Sequence, residues 1–250
     1  MNENKQFSNA IIVLGLLLAI GMASAAFILG VQAKRAVAGQ QSITVKGLAE
    51  KPIKADSAEW LISVGVTAQT QSEALQLVAQ ERKVVEAFLS KQGLGNETWV
   101  VDVETISPHY EEVFIKDIPR QLQKGFDAFQ SIRVTTKNLA KITVANKEFL
   151  QLKADNHPVS AQPPNYLVSD LESVKMSLIA DATKNARNRA TEFVKQDGVK
   201  VGVMKSASQG AFYILAVGGE AGDDSYGGVY DKSTIDKTAR VVVTVVYNIE

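Results

Sequence analysis

His109 and His157 are the only histidines in a chain of 250 residues that has no cysteine. His109 lies in "SPHYEEVF", beside Tyr110 and the pair Glu111-Glu112. It forms the best acid–base or metal-binding cluster the sequence offers. An imidazole with two carboxylates could move a proton or hold a divalent cation. A zinc site needs three or four ligands at motif spacing, and neither His-x₃-His nor His-Glu occurs. The same residues also read as the polar end of a strand or a loop.

A second stretch with possible chemistry is "VGGEAGDDSYGGVYD", residues 217–231, with Asp223, Asp224 and Asp231 among glycines. Paired aspartates could meet a calcium ion, but the EF-hand spacing and its closing glutamate are missing. The alternatives are a connection presenting Tyr226 and Tyr230 to a partner, or a plain hairpin loop. The lack of cysteine excludes disulfides, thiolate metal sites and cysteine nucleophiles. Neither a Gly-x-Ser-x-Gly elbow nor a Gly-x₄-Gly-Lys-Ser/Thr loop is present. The expectation is therefore a non-enzyme with no catalytic, cofactor-binding or metal residue assigned and no cofactor. The alternative is an envelope enzyme or a ligand- or metal-binding protein with a site near His109, Glu111 and Glu112.

The elements around these residues begin with "AIIVLGLLLAIGMASAAFILGV", residues 10–31, a run without charge. As a helix, 22 residues span about 33 Å, against a hydrocarbon core of about 30 Å. Ala23-Ser24-Ala25 has the small-x-small form of a signal-peptidase site. The apolar run continues through "AFILGV", so an uncleaved signal anchor is expected, with a cleaved secreted form as the alternative. Lys34 and Arg35 beyond the run outnumber Lys5 before it. That balance favours a cytoplasmic body and opposes export.

Taking Lys5, Lys34, Arg35 and Glu3 away with the first 35 residues leaves 24 basic and 26 acidic of 27 each. A body near −2 has no general attraction for polyanions, so no nucleic-acid partner is expected.

Along the body, residues 42–47 alternate as a short strand before the turn-like "LAEKPIKAD". "SAEWLISVGVTAQ" puts Ala58, Trp60, Ile62, Val64 and Val66 on one strand face. Residues 71–92 read as a helix stopped by "KQGLG". "TWVVDVETISP" reads as a strand ending at Pro108, and "FDAFQSIRVTT" as another. Asn138 is a candidate cap for a helix over "LAKITVANKEFLQL". "DNHPVSAQPPN" is the most loop-like stretch, "YLVSD" a brief strand, and residues 171–196 the longest helix of the body. The chain closes with Ala239, Val241, Val243, Val245, Tyr247 and Ile249 alternating.

Within that helix, "IADATKNARNRATEFVK" puts Ile179, Ala182, Ala186, Ala190 and Phe193 on one stripe. Arg187 and Arg189 flank it, where long stems cover apolar surface. Acidic and basic residues mix on the far side, unlike a nucleic-acid-reading face. Strand, long helix, Lys-Gln-x-Gly-type stop and strand recur about a hundred residues apart, which suggests a duplication. The expected fold is α+β: a mostly antiparallel sheet packed with two long helices, preceded by one transmembrane helix. The expected division is a tail (1–9), a membrane helix (10–33), a linker (34–41) and a body (42–250) of two pseudo-repeated halves.

Three features carry a family resemblance. "ITVKGLAEKPIKADSA" has a strand, a glycine and Asp-x-Ala at Gly47, Asp56 and Ala58. The alanine-spaced helix is followed by Gly-Val-x-x-Gly at Gly198, Val199 and Gly202. The final alternating strand ends near Tyr247. Together they resemble the SIMPL-domain proteins of bacterial envelopes, which include periplasmic immunogenic antigens. The resemblance implies an exported body, homo-oligomers, links to envelope or oxidative stress, and no established enzyme activity. The expected location is the inner membrane, single-pass, with the carboxy-terminal domain in the periplasm or outside. The expected partners are the lipid bilayer, through residues 10–33, and further copies of the chain. "SPHYEEVFIKDIPRQLQKG" and "NHPVSAQPPN" depart from the family pattern.

Overall fold

The computed structural model describes residues 3–38, 41–115, 118–220 and 227–250, with side chains described for 14–32, 41–114, 118–220 and 227–250. Four helices lie among them: α1 (Glu3–Ala38), α2 (Gln71–Lys91), α3 (Leu139–Ala154) and α4 (Leu171–Lys195). The strands are β1 (Ser42–Lys54), β2 (Ser57–Ala68), β3 (Trp99–Val101), β4 (Thr105–Ile115), β5 (Ile118–Thr136), β6 (Val159–Ala161), β7 (Asn165–Leu167), β8 (Val201–Ala216) and β9 (Asp236–Ile249). The fold is α+β with mostly antiparallel pairing. One three-stranded sheet runs β1-β9-β8 and a six-stranded one runs β3-β5-β2-β6, with β4 on β5 and β7 on β2.

The chain divides into two compact units. One comprises Met1–Ala49, Ser177–Ala211 and Val241–Glu250, the other Glu50–Met176 and Phe212–Arg240.

In the second unit, β2 and β5 pair antiparallel from Ala58↔Thr136 to Ala68↔Phe126. Alternation puts Ala58, Trp60, Ile62 and Val64 beside Ala128, Ile132 and Val134 on one face, each almost fully buried. α2 covers that face with Ala74, Val78, Val85 and Leu89, and α3 with Ile142, Ala145, Phe149 and Leu152. Both helices start on side-chain caps. Thr70 Oγ1 accepts from the Glu73 amide, and Asn138 Oδ1 from the Lys141 amide. Trp60 meets the Phe149 ring edge-on at 5.4 Å and donates from Nε1 to the Gln162 carbonyl at 2.8 Å. Its large apolar body is thus buried without orphaning its one polar atom.

In the first unit, α4 buries Leu178, Ala182, Ala186, Ala190 and Val194, one every fourth residue. Val45 of β1 and Val241, Val243, Val245 and Tyr247 of β9 supply the other buried side chains. The alanines permit close approach, and Gly47 completes it. A Cβ at position 47 would stand 2.0 Å from the Ala182 carbonyl oxygen and 2.7 Å from the Ala186 nitrogen. The stripe differs from the expectation at both ends: Ile179 is half-buried and Leu178 takes the inward place, and Phe193 is 65% exposed while Val194 is buried. The reason is that an i, i+4 ridge drifts around the axis, because four residues exceed one turn.

Three boundaries also differ. β1 runs through "LAEKPIKAD" instead of turning there, because that stretch pairs with β9. Ala55 N–H donates to the Ile235 carbonyl at 2.9 Å, and Glu50 takes Arg240 Nε at 2.6 Å. The expected strand ending at Pro108 is two strands. Val103, 86% exposed, sits in the break between β3 and β4, and Pro108 lies inside β4. Proline is tolerated there because β4 is an edge strand. Loop-like "DNHPVSAQPPN" contains β6, which pairs with β2 and buries Val159.

β5 continues past the end of β2. From Ile118 to Gly125 its described partner is β4, giving a two-stranded ribbon with a register shift at His109/Tyr110. Gly125 sits at the shift, where a Cβ would lie 2.3 Å from the Ala68 carbonyl oxygen.

Candidate functional site

His109 stands at the base of this ribbon, on the sheet face opposite the helices. β5 alternation sends Ala128 inward, and therefore Asp127 outward beside Thr67, its register partner on β2. His109 Nδ1 lies 2.9 Å from Asp127 Oδ2, and Thr67 Oγ1 donates to Asp127 Oδ1 at 2.6 Å. An ionised carboxylate only accepts, so Nδ1 carries the proton and donates. Nε2 faces Glu111 Oε1 at 3.7 Å, an ion-pair distance when the ring is protonated.

The charges follow from these contacts. The hydrogen bond to Asp127 raises the His109 pKa above its ordinary value, desolvation opposes this, and the charges of Asp127 and Glu111 add to the rise. Thr67 first, then His109, hold the Asp127 carboxyl below its usual range. The result is a Thr67–Asp127–His109–Glu111 line, chemically a proton-accepting or cation-pairing surface. Of the expected cluster, the structure unites His109 with Glu111. Glu112, next along the strand, points to the other face. Thr67 and Asp127 were missed, because they reach His109 only through strand register.

His157 is in the second unit but makes a different contact. Its Nδ1 meets Glu81 Oε2 at 2.7 Å, and its amide donates to the Leu152 carbonyl. It ties the turn after α3 to α2. Among the described residues, no group of three or more His, Asp or Glu side chains is placed to hold a metal ion.

Asp223, Asp224 and Tyr226 of the glycine-rich stretch lie outside the described residues. Tyr230 and Asp231 are described, and both are engaged. Tyr230 OH accepts from the Val168 amide at 2.8 Å. Asp231 accepts from the amides and hydroxyls of Ser233 and Thr234. Lys237, with no exposed side-chain surface, donates to the Asp231 carbonyl at 2.6 Å and its carboxylate at 3.3 Å. Burial opposes ionisation of Asp231, but these hydrogen bonds outweigh it and hold its carboxyl far below the usual range. With its oxygens engaged by these donors, Asp231 acts as a structural clasp.

The residues of the family resemblance hold the fold together. Asp56 accepts from the Ser169 amide and hydroxyl, fixing the residues before α4, while Ala58 is fully buried. Gly198, at φ 69°, ends α4 in the left-handed region that favours glycine. Arg187 lies over the Tyr247 ring at 5.5 Å. Arg189 Nη1 donates to the Lys46 carbonyl, and Asn185 Oδ1 accepts from the Leu48 amide.

These features have a counterpart among known proteins. The profile of the SIMPL family, described as a protein of unknown function (DUF541), matches residues 43–247. The chain belongs to the SIMPL family. No curated protein sequence matches it.

Some solved structures show remote likenesses to this SIMPL chain. CutA from Synechococcus elongatus is 15% identical over 53% of this chain and 96% of its own, at a TM-score of 0.20. An uncharacterized conserved protein from Listeria innocua is 11% identical over 78% of this chain and 91% of its own, at 0.21. A hydantoinase/carbamoylase family amidase from Burkholderia ambifaria is 13% identical over 46% of this chain and 28% of its own, at 0.25. At such TM-scores none of these bears on function.

Proposed function

We propose that this protein is a membrane-anchored, exported interaction module that self-associates and acts without catalysis, in the structure or stress response of the cell envelope. The observation that carries the reading is α1. Leu14–Gln32 has a mean hydropathy of 2.3, and none of it is buried by the rest of the chain. A soluble core helix would hide those side chains. In water, each exposed leucine-sized side chain costs about 1.5–3 kcal/mol relative to an apolar surrounding, which a bilayer supplies. The family assignment supports export, and the Lys34-Arg35 flank opposes it.

Carbonate extraction and a carboxy-terminal phosphatase fusion test the reading together. The expected outcome is a chain that stays in the membrane pellet with an active phosphatase. Release by carbonate would remove the anchor, and an inactive fusion would put the body in the cytoplasm.

The Asp127–His109 pair favours a second reading, an envelope ligand- or metal-binding protein or enzyme. Alanine at His109, Glu111 and Glu112 would then abolish a thermal shift produced by metals or metabolites. An unchanged shift profile removes this reading.

A further inference from the structure

We infer that the cleft between α2 and α3 is a binding site for a single-chain amphiphile with a carboxylate head, of the fatty-acid kind. The cleft lies wholly in the second unit, on the side of the sheet opposite the Asp127–His109 pair. The inference is independent of both readings given above.

The cleft has a volume of about 660 Å³, within the range of about 300–1,000 Å³ usual for small-molecule sites. Three contacts set its two walls antiparallel. Glu81, midway along α2, meets His157 just beyond the end of α3. Gln92, after the last turn of α2, donates from Nε2 to Glu148 Oε2 at 2.5 Å. Lys141 Nζ, in the first turn of α3, donates to the Gly93 carbonyl at 2.7 Å. The carboxy end of α2 therefore lies beside the amino half of α3. From Lys147 to Asp155 the lining runs about 12 Å, at about 1.5 Å per residue.

The chemistry changes along that length. One end has Lys91 and Lys147 with Glu148, and the other has Asp155. Each carboxylate already has a donor. Glu148 accepts from Gln92, and Asp155 Oδ1 accepts from Gln151 Nε2 at 2.9 Å. Among the described residues neither Lys91 nor Lys147 has an ion-pair partner. The lysine end thus lines the cleft with a net positive charge and unspent N–H donors, which suit a carboxylate.

Between the ends, Val84, Ala87, Phe88, Leu150, Leu152 and Ala154 make the lining apolar. Phe88 is braced edge-on against the buried Phe149, with ring centroids 6.1 Å apart, and Leu150 is 67% exposed. Gln151, the one polar side chain of this middle stretch, is spent on Asp155. An extended peptide would bring backbone N–H and C=O groups here and leave them without partners. An acyl chain brings none. The orientation follows: the carboxylate meets Lys91 and Lys147, and the tail runs toward Ala154.

Photolabelling of the full chain in membranes tests this. The probe is palmitate carrying a diazirine in mid-chain, with adducts mapped by proteolysis and mass spectrometry. α1, long and apolar enough to cross a membrane, is the internal control for label dissolved in lipid. Adducts are expected on residues 84–92 and 147–155 as well as on α1, and excess unlabelled palmitate should lower those at the cleft several-fold. The diazirine alcohol of the same chain length, which has no charge, should label α1 and spare the cleft. K91E/K147E reverses the head site, and A154W fills the tail end from an exposed helix position. Each is expected to lower cleft adducts several-fold with α1 adducts unchanged, and a thermal melt near wild type shows that the fold is kept.

Adducts confined to α1 overturn the site, whether the cleft is empty or filled by a protein partner. Cleft labelling that the alcohol matches, or that both variants leave unchanged, overturns it too. Cleft adducts with none on α1 uphold the site and remove the anchor.

Discussion

Gly47→Ala tests the packing on which the first unit depends. The new methyl carbon would stand 2.0 Å from the Ala182 oxygen, 2.7 Å from the Ala186 nitrogen and 2.8 Å from the Ala186 Cβ. Carbon–oxygen contacts settle at about 3.3 Å or more. All three obstacles belong to the helix frame, so no side chain can rotate clear. α4 must retreat by more than about 1 Å, which loosens Leu178, Ala182, Ala186, Ala190 and Val194 together. Overpacking of this kind costs about 1–3 kcal/mol and sometimes more. Loss of glycine's extra freedom in the unfolded chain returns about 0.4–1 kcal/mol. The net expectation is a loss of about 1–2 kcal/mol, or roughly 2–8 °C in Tm for a body of this size. Gly202→Ala is the control. There the new carbon meets only the Glu250 carboxylate, 2.6 Å away on a flexible side chain, and a loss below about 0.5 kcal/mol is expected. Urea unfolding of the full chain in detergent, followed by circular dichroism, measures both. Equal midpoints for G47A and wild type would refute the close-packing account.

Trp60→Ala should cost about 3–5 kcal/mol, read from the same urea curves, because it empties the centre of the second unit. Lys237→Ala leaves the partly buried Asp231 without its cation and should cost about 3 kcal/mol; if it melts like wild type, the clasp is not stabilising. Asp231→Asn should flatten the acid limb of the stability curve. The depressed carboxyl of Asp231 contributes stability above the ordinary aspartate range, near pH 4, that is lost as pH falls toward its folded pKa. His109→Gln tests the opposite sign. The raised imidazole pKa contributes stability that is full below about pH 6.5 and is lost as pH rises through the folded value. The Tm gap between wild type and H109Q should therefore shrink from pH 5 to pH 8. A gap that stays constant would show that the Asp127 and Glu111 contacts do not favour the imidazolium.

Local pattern made much of the fold legible. The period-two runs in β2 and β9, the cap at Asn138 and the stop at Gly198 are properties of neighbouring residues, so the chain announces them without its partners. The uncharged run over residues 10–31 is of the same kind, because length and composition suffice to predict an apolar helix long enough to cross a membrane. What distant chain segments decide was hidden. The "LAEKPIKAD" stretch looks like a turn until β9 pairs with it. Pro108 ends a strand by propensity, yet it lies within β4 because that edge needs no amide from it. The His109 site was half legible for the same reason. Glu111 is two residues away on the same face, whereas Asp127 and Thr67 arrive through strand register. The sequence alone thus determined the long apolar helix, the alternation and the Asn138 cap, each fixed by contacts within a few residues. Only the tertiary structure decided which strand edges are covered, which carboxylate meets the imidazole and why residue 47 carries no side chain, because those depend on backbone segments brought together from far along the chain.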